Sequence, residues 1–143
     1  MRKVLIAYDG SAPAKRALEY VINFARDHAA TLHVCLLNVQ QEPMLYGEYV
    51  TGEVVAQLQQ SMTEAAVQEL EWPADQLKAA GLAYTTYTAL GNVAEQVAAL
   101  VQQQGCDTVV MGTRGLGSFT GMLLGSVATR VIHEVSVPVL LVK

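Results

Sequence analysis

Apolar positions along the chain fall into two alternating patterns. Short, largely β-branched or aromatic runs at VLIAY (Val4 to Tyr8), LHVCLLNV (Leu32 to Val39), YTTYTAL (Tyr84 to Leu90), TVVMG (Thr108 to Gly112) and VPVLLV (Val137 to Val142) each predict a strand. Longer stretches between them carry the helical period. Leu18, Val21, Ile22 and Ala25 follow the i, i+3, i+4, i+7 rule, and Pro13 sits where a first turn tolerates it, so a helix should begin just after Ser11. A second helix is expected from Val54 to Ala80. Pro73 should kink or divide it near Trp72, because proline removes a backbone donor and clashes with the preceding turn. Val93, Val97, Leu100 and Val101 mark a third helix ending at Gly105, and Leu123, Val127, Val131 and Ile132 a fourth.

A β-α-β-α alternation implies a doubly wound α/β fold, an open parallel sheet with helices on both faces, because parallel strands need crossovers and those crossovers are right-handed. The central runs are apolar throughout, as strands covered on both faces must be. YTTYTAL, with its threonines and tyrosines, suits a half-exposed edge. VPVLLV is apolar on both faces although the last strand of such a sheet is commonly an edge, and an exposed apolar edge invites pairing with another chain. A homodimer joined through Val137 to Val142 is therefore expected. With 143 residues, no internal repeat and no low-complexity linker, residues 1–143 should form one domain.

Composition narrows the function classes. The hydrophobic fraction of 52% with 15% charged residues fits a globule, and no apolar run approaches the ~20 residues that span a bilayer, which argues against a membrane protein. The apolar part of MRKVLIAYDG is too short for a secretory leader and Asp9 interrupts it, so a cytoplasmic location is expected. A net charge of -4 offers no basic field for a phosphate backbone, which argues against nucleic acid as a partner. Cys35 and Cys106 form no CxxC pair and are read as core residues. His28, His33 and His133 show no spacing for catalysis or metal binding. No catalytic set and no protein metal site is predicted.

The candidate chemistry lies at two strand ends. In an open parallel sheet ligands bind beyond the carboxyl ends of strands whose crossovers diverge to opposite faces. Tyr8-Asp9-Gly10-Ser11 and Met111-Gly112-Thr113-Arg114-Gly115 both occupy such ends, each leading toward a helix start. The second belongs to GTRGLGSFTGMLLGS, Gly112 to Ser126, which holds five glycines in fifteen residues. Glycine permits positive φ and close backbone approach, and successive N–H groups at a helix start can cradle an anion. Thr113, Ser118, Thr120 and Ser126 would add hydroxyls and Arg114 a charge, so phosphate is the natural ligand. Other readings stand beside these: Asp9 as a residue that caps the first helix or bonds its own loop, Arg114 as a solvated loop residue, Ser126 as an ordinary helix hydroxyl, and Lys15 and Arg16 as solvated cations. The loop Gln40 to Gly52 is a candidate lid, with Tyr46 and Tyr49 over the ligand. No GxxxxGK[ST] is present, and DGS stands where a dinucleotide GxGxxG would follow the first strand.

Gly112, Gly115, Gly125 and Ser126 do make G-x2-G-x9-G-[ST]. With YDGS at the end of the first strand and VPVLLV at the close, this pattern resembles the ATP-binding motif of the universal stress protein family over almost the whole chain. The resemblance implies a sheet of order 3-2-1-4-5 and a nucleotide-binding, stress-response dimer. It implies that Asp9, with Gly10 and Ser11, lies near the adenosine, and that the Val39 backbone meets adenine. Gly112, Thr113, Arg114 and Gly115 would line the ribose and phosphate path, while Gly125, Ser126 and Val127 would hold phosphate. Any Mg2+ would be held through the phosphates, since no carboxylate cluster is present to ligate it. Two rival classes share the fold. An adenine nucleotide hydrolase of related type carries SGGxDS where this chain has DGSAPA, and a nucleotide-free dimeric module lacks the late glycines.

Overall fold

The runs of β-branched residues become neighbours in one five-stranded parallel sheet. A computed structural model describes residues 1–41, 47, 50–115 and 124–143. Within them the elements are β1 (Lys3–Ala7), α1 (Ala12–Asp27), β2 (His33–Gln40), α2 (Gly52–Glu69), α3 (Glu71–Ala79), β3 (Ala83–Leu90), α4 (Val93–Gln104), β4 (Thr108–Gly112), α5 (Ser126–Glu134) and β5 (Val139–Val142). The strand order is β3-β2-β1-β4-β5, as the resemblance implies. β1 and β4 run in register from Val4 opposite Thr108 to Ala7 opposite Met111, so their carboxyl ends lie side by side.

Alternation of side chains along the central strands builds two apolar layers. Val4, Ile6, Val34, Leu36 and Val110 face Ala17, Leu18 and Val21 of α1, joined by Leu70 and Leu77. Leu5, Cys35, Leu37, Val109 and Met111 face Val97 and Val101 of α4 and Ala128 and Val131 of α5. Both cysteines are buried free thiols in this second layer. Burial, then the neighbouring Cys35, pushes the Cys106 thiol up to about 12. The outer strands behave differently from the centre. β3 is an edge whose residues are exposed or half-buried, as its threonines and tyrosines suggest, and β5 is the other edge, half-buried along its length.

Three boundaries depart from expectation. The second helical stretch starts at Gly52, where Thr51 caps it by accepting from the Val54 N–H at 3.3 Å. It divides at Leu70, two residues before Trp72, and Pro73 lies in the first turn of α3, where an absent N–H leaves no intrahelical bond unmade. Buried Leu70 and Leu77 anchor the new direction on the sheet, which leaves Trp72 outside beneath the Lys15 ammonium at 5.6 Å. β5 begins at Val139, after Pro138, because proline cannot donate to the ladder.

The opposite end of the sheet is tied by a carboxylate. Asp107 accepts from the Arg2 and Lys3 N–H groups at 2.8 and 3.0 Å and from the Thr108 hydroxyl at 2.8 Å. Burial works against its ionisation, but these bonds and the nearby N-terminal ammonium outweigh it and hold the carboxyl below the usual range.

Candidate functional site

Two strand ends and two helix starts converge on one cavity. The Tyr8 N–H donates to Leu37 at 2.8 Å, carrying the β1–β2 pairing one residue past β1. The chain then turns through Gly10 at φ +80°, where a side chain would collide with the Glu69 carboxylate. Asp9 closes the turn, its Oδ1 accepting from the Ser11 N–H at 2.9 Å. Ser11 in turn caps α1 by accepting from the Ala14 N–H at 3.3 Å. The start of α1 is thus satisfied from within.

The start of α5 is not. Thr113, just past β4, donates to Val142 at 2.8 Å, and its carbonyl accepts from the Gly125 N–H at 2.7 Å, so the chain returns beside the point it left. Among the described residues no side chain caps the start of α5. The N–H groups of Ser126, Val127 and Ala128 precede any intrahelical acceptor, and all three residues line the cavity. That combination makes the α5 start the anion-seeking end of the site.

The cavity measures about 590 Å³. It brings together Asp9, Ser11, Val39, Gly112, Thr113, Arg114, Gly115, Gly125, Ser126 and Val127. Gly10 is the exception among the expected residues: it forms the turn against Glu69 and does not line the cavity, because its φ faces it toward α2. Lys15 and Arg16 also lie elsewhere, one over Trp72 and the other donating to the Lys143 carbonyl. Tyr46, Tyr49, Ser118, Thr120, Gly117, Gly121 and Leu123 lie outside the described residues.

The motif glycines work by size rather than by conformation, since Gly112, Gly115 and Gly125 are all absent from the positive-φ residues. A Cβ on Gly112 would sit 2.6 Å from the Pro13 Cβ, so its bareness lets the first turn of α1 lie against β4. On Gly115 it would sit 2.6 Å from Asp9 Oδ2, so this glycine makes room for the carboxylate. On Gly125 it would meet the Thr113 carbonyl oxygen at 3.2 Å, where the loop closes.

Met111, at the end of β4, and Gln41, the start of the candidate lid, also line it, and sequence reasoning missed a further part of the wall: Ala14, Leu37, Val93 and Ala128. Val93 carried a usable signal, as the first residue of α4 after its cap Asn92, another helix start at the carboxyl end of the sheet. Asn38 was missed too. It is buried on β2, its amide donates to the Tyr8 carbonyl at 2.9 Å, and its oxygen accepts from the Gln40 amide at 2.8 Å, which fixes the floor beside Asp9. Tyr8 itself is buried, and burial, then the Glu69 and Asp9 charges, pushes its phenol up to about 12. Among the described residues no group of three or more histidines, cysteines or carboxylates could hold a metal ion.

The family model described as the universal stress protein family matches residues 1–143. The chain belongs to that family. Within this universal stress protein family, a member from Thermus aquaticus is 34% identical over 99% of this chain and 98% of its own. The solved structure of MJ0577, a universal stress protein of Methanocaldococcus jannaschii, is 30% identical with a TM-score of 0.85, covering 99% of this chain and 95% of that one. An Arabidopsis thaliana family member solved with AMP bound has a TM-score of 0.73 at 22% identity, covering 100% and 92%. A universal stress protein solved in complex with cAMP has a TM-score of 0.68 at 24% identity, covering 99% and 97%. Among the described residues no helix is long and apolar enough to cross a membrane.

Proposed function

We propose that this universal stress protein binds ATP in the cavity at the ends of β1 and β4 and acts as a nucleotide-dependent regulatory dimer in the stress response. The observation that carries the reading is the uncapped start of α5, facing a cavity whose volume of about 590 Å³ suits a small-molecule site. Gly125, Ser126 and Val127 hold phosphate oxygens there. Asp9 keeps Oδ2 beside Gly115 for a ribose hydroxyl while its Oδ1 stays in the turn. Gly112, Thr113, Arg114 and Gly115 line the ribose and phosphate path, Ser11 borders it, and Val39 meets the adenine. Gly10 supports the site from behind, as the turn that aims Asp9. The family members solved with AMP and cAMP support an adenine ligand. Mg2+ is held through the phosphates.

Thermal unfolding with and without Mg-ATP, ADP and AMP tests the reading. A ligand at 100 times its Kd adds about 2.7 kcal/mol, or about 9 °C for a chain this size. No shift with any of the three overturns it, and prompt pyrophosphate release would favour the hydrolase class instead. For the dimer, the open side of β5 pairs with its copy about a two-fold axis. Light scattering at micromolar concentration should then report twice the chain mass of 15.4 kDa.

A further inference from the structure

Resting on that nucleotide reading, we infer that a second chamber beside the main cavity receives the terminal phosphoryl group of a nucleoside triphosphate, and that Arg130 sets the preference for three phosphates over one. The chamber measures about 160 Å³ and shares Gln41, Val93, Ser126 and Val127 with the main cavity, so it continues the space beyond a phosphate held at Ser126. At about 30 Å³ per water it has room for a phosphoryl group and its hydration, but not for a second nucleoside. Its added polar lining is Asn92 and Arg130.

Arg130 lies one turn after Ser126 on α5, at the spacing that places two residues on one helix face. It is the cation of the chamber, and among the described residues its ion-pair partners are Glu134 at 2.8 Å and Glu95 at 4.0 Å, with the Arg130 side chain 51% exposed. Exposed carboxylate pairs of this kind hold weakly, and a terminal phosphate offers the guanidinium a doubly charged acceptor in their place. Asn92 uses its oxygen to accept from the Glu95 N–H at 3.1 Å, which leaves its amide hydrogens to donate. Glu95 is the opposing charge at this end. Because AMP stops short of the chamber, only the longer nucleotide meets Arg130.

The test is calorimetric titration of the wild-type chain, Arg130→Gln and Glu134→Gln with ATP, ADP and AMP, with unliganded melting temperatures as the folding control. Arg130→Gln should weaken ATP about tenfold and AMP less than twofold, and high salt should shrink the wild-type preference in the same direction. Glu134→Gln, which frees Arg130 from its pair, should tighten ATP. If wild type binds nucleotides and Arg130→Gln leaves the ATP-to-AMP ratio unchanged, the chamber has no such role while the nucleotide site stands. If wild type binds none of the three, the nucleotide reading falls and this inference with it.

Discussion

Replacing Gly115 by alanine separates the binding role of the glycine motif from its folding role. The new Cβ would lie 2.6 Å from Asp9 Oδ2, well inside van der Waals contact, so the carboxylate must move. It cannot rotate freely, because Oδ1 is held by the Ser11 N–H at 2.9 Å. Losing that bond costs about 0.5–1.5 kcal/mol. Gly115 is not at positive φ, so alanine also stabilises the chain by about 0.4–1 kcal/mol through the unfolded state. The two effects nearly cancel, and the unliganded melting temperature should shift by less than about 4 °C. Affinity has no such offset. On the proposed ribose contact, a displaced Asp9 would forfeit a charged hydrogen bond worth about 1.5–3 kcal/mol, which is roughly a 10- to 150-fold rise in Kd for ATP. A double-mutant cycle read by calorimetry makes the argument specific: Asp9→Ala should cost about as much alone, and Gly115→Ala added to it less than twofold more. Wild-type affinity in Gly115→Ala, or the same full loss in the Asp9→Ala background, would refute the coupling.

Gly112→Ala should do the opposite. Its Cβ meets Pro13 Cβ at 2.6 Å and the Pro13 backbone carbon at 3.0 Å, so overpacking of about 1–3 kcal/mol should lower the melting temperature by roughly 4–10 °C. Asp107 has its folded pKa below the ordinary value, so its stabilisation is present above about pH 4 and lost as pH falls through the folded pKa; Asp107→Asn should lower stability at neutral pH and flatten the acid limb of a stability–pH curve read by urea denaturation. Tyr8 has its folded pKa raised to about 12, so its neutral form supports the fold fully below about pH 10 and that support is lost between there and pH 12. Ultraviolet titration of the folded chain should show a late-ionising tyrosine that Tyr8→Phe removes.

The strands were readable from the sequence because β-branched runs such as VLIAY and TVVMG leave little choice of element, and the burial of the middle of β1 and of all of β4 follows from a sheet covered on both faces. A helix start just after Ser11 and a helix end at Gly105 were equally local signals. The division itself was readable from Pro73, but its place at Leu70 was not, because a proline tolerated in a first turn looks the same in sequence as one that breaks a helix interior. Within the site, Asp9 and the glycines stood out by residue type, whereas Leu37, Val93 and Ala128 line the cavity only because three elements end at one place. The motif itself carried no sign that Gly112 answers to Pro13 and Gly115 to Asp9; those distances exist only after β1, β4 and α1 have packed.

The bond from the Gly125 N–H to the Thr113 carbonyl gives the molecule a stem. Thr113 and Gly125 are thereby held together, so the spacing between the end of β4 and the start of α5 is set at the stem. Doubling a flexible loop costs only about 0.6 kcal/mol in closure entropy. A guest domain inserted between Gly115 and Gly125, such as a fluorescent reporter, would therefore stand on a stem one hydrogen bond wide, at the rim of the cavity beside the start of α5. The fold thus carries a ready position for a biosensor, in which events at the ligand are passed to whatever is built above it.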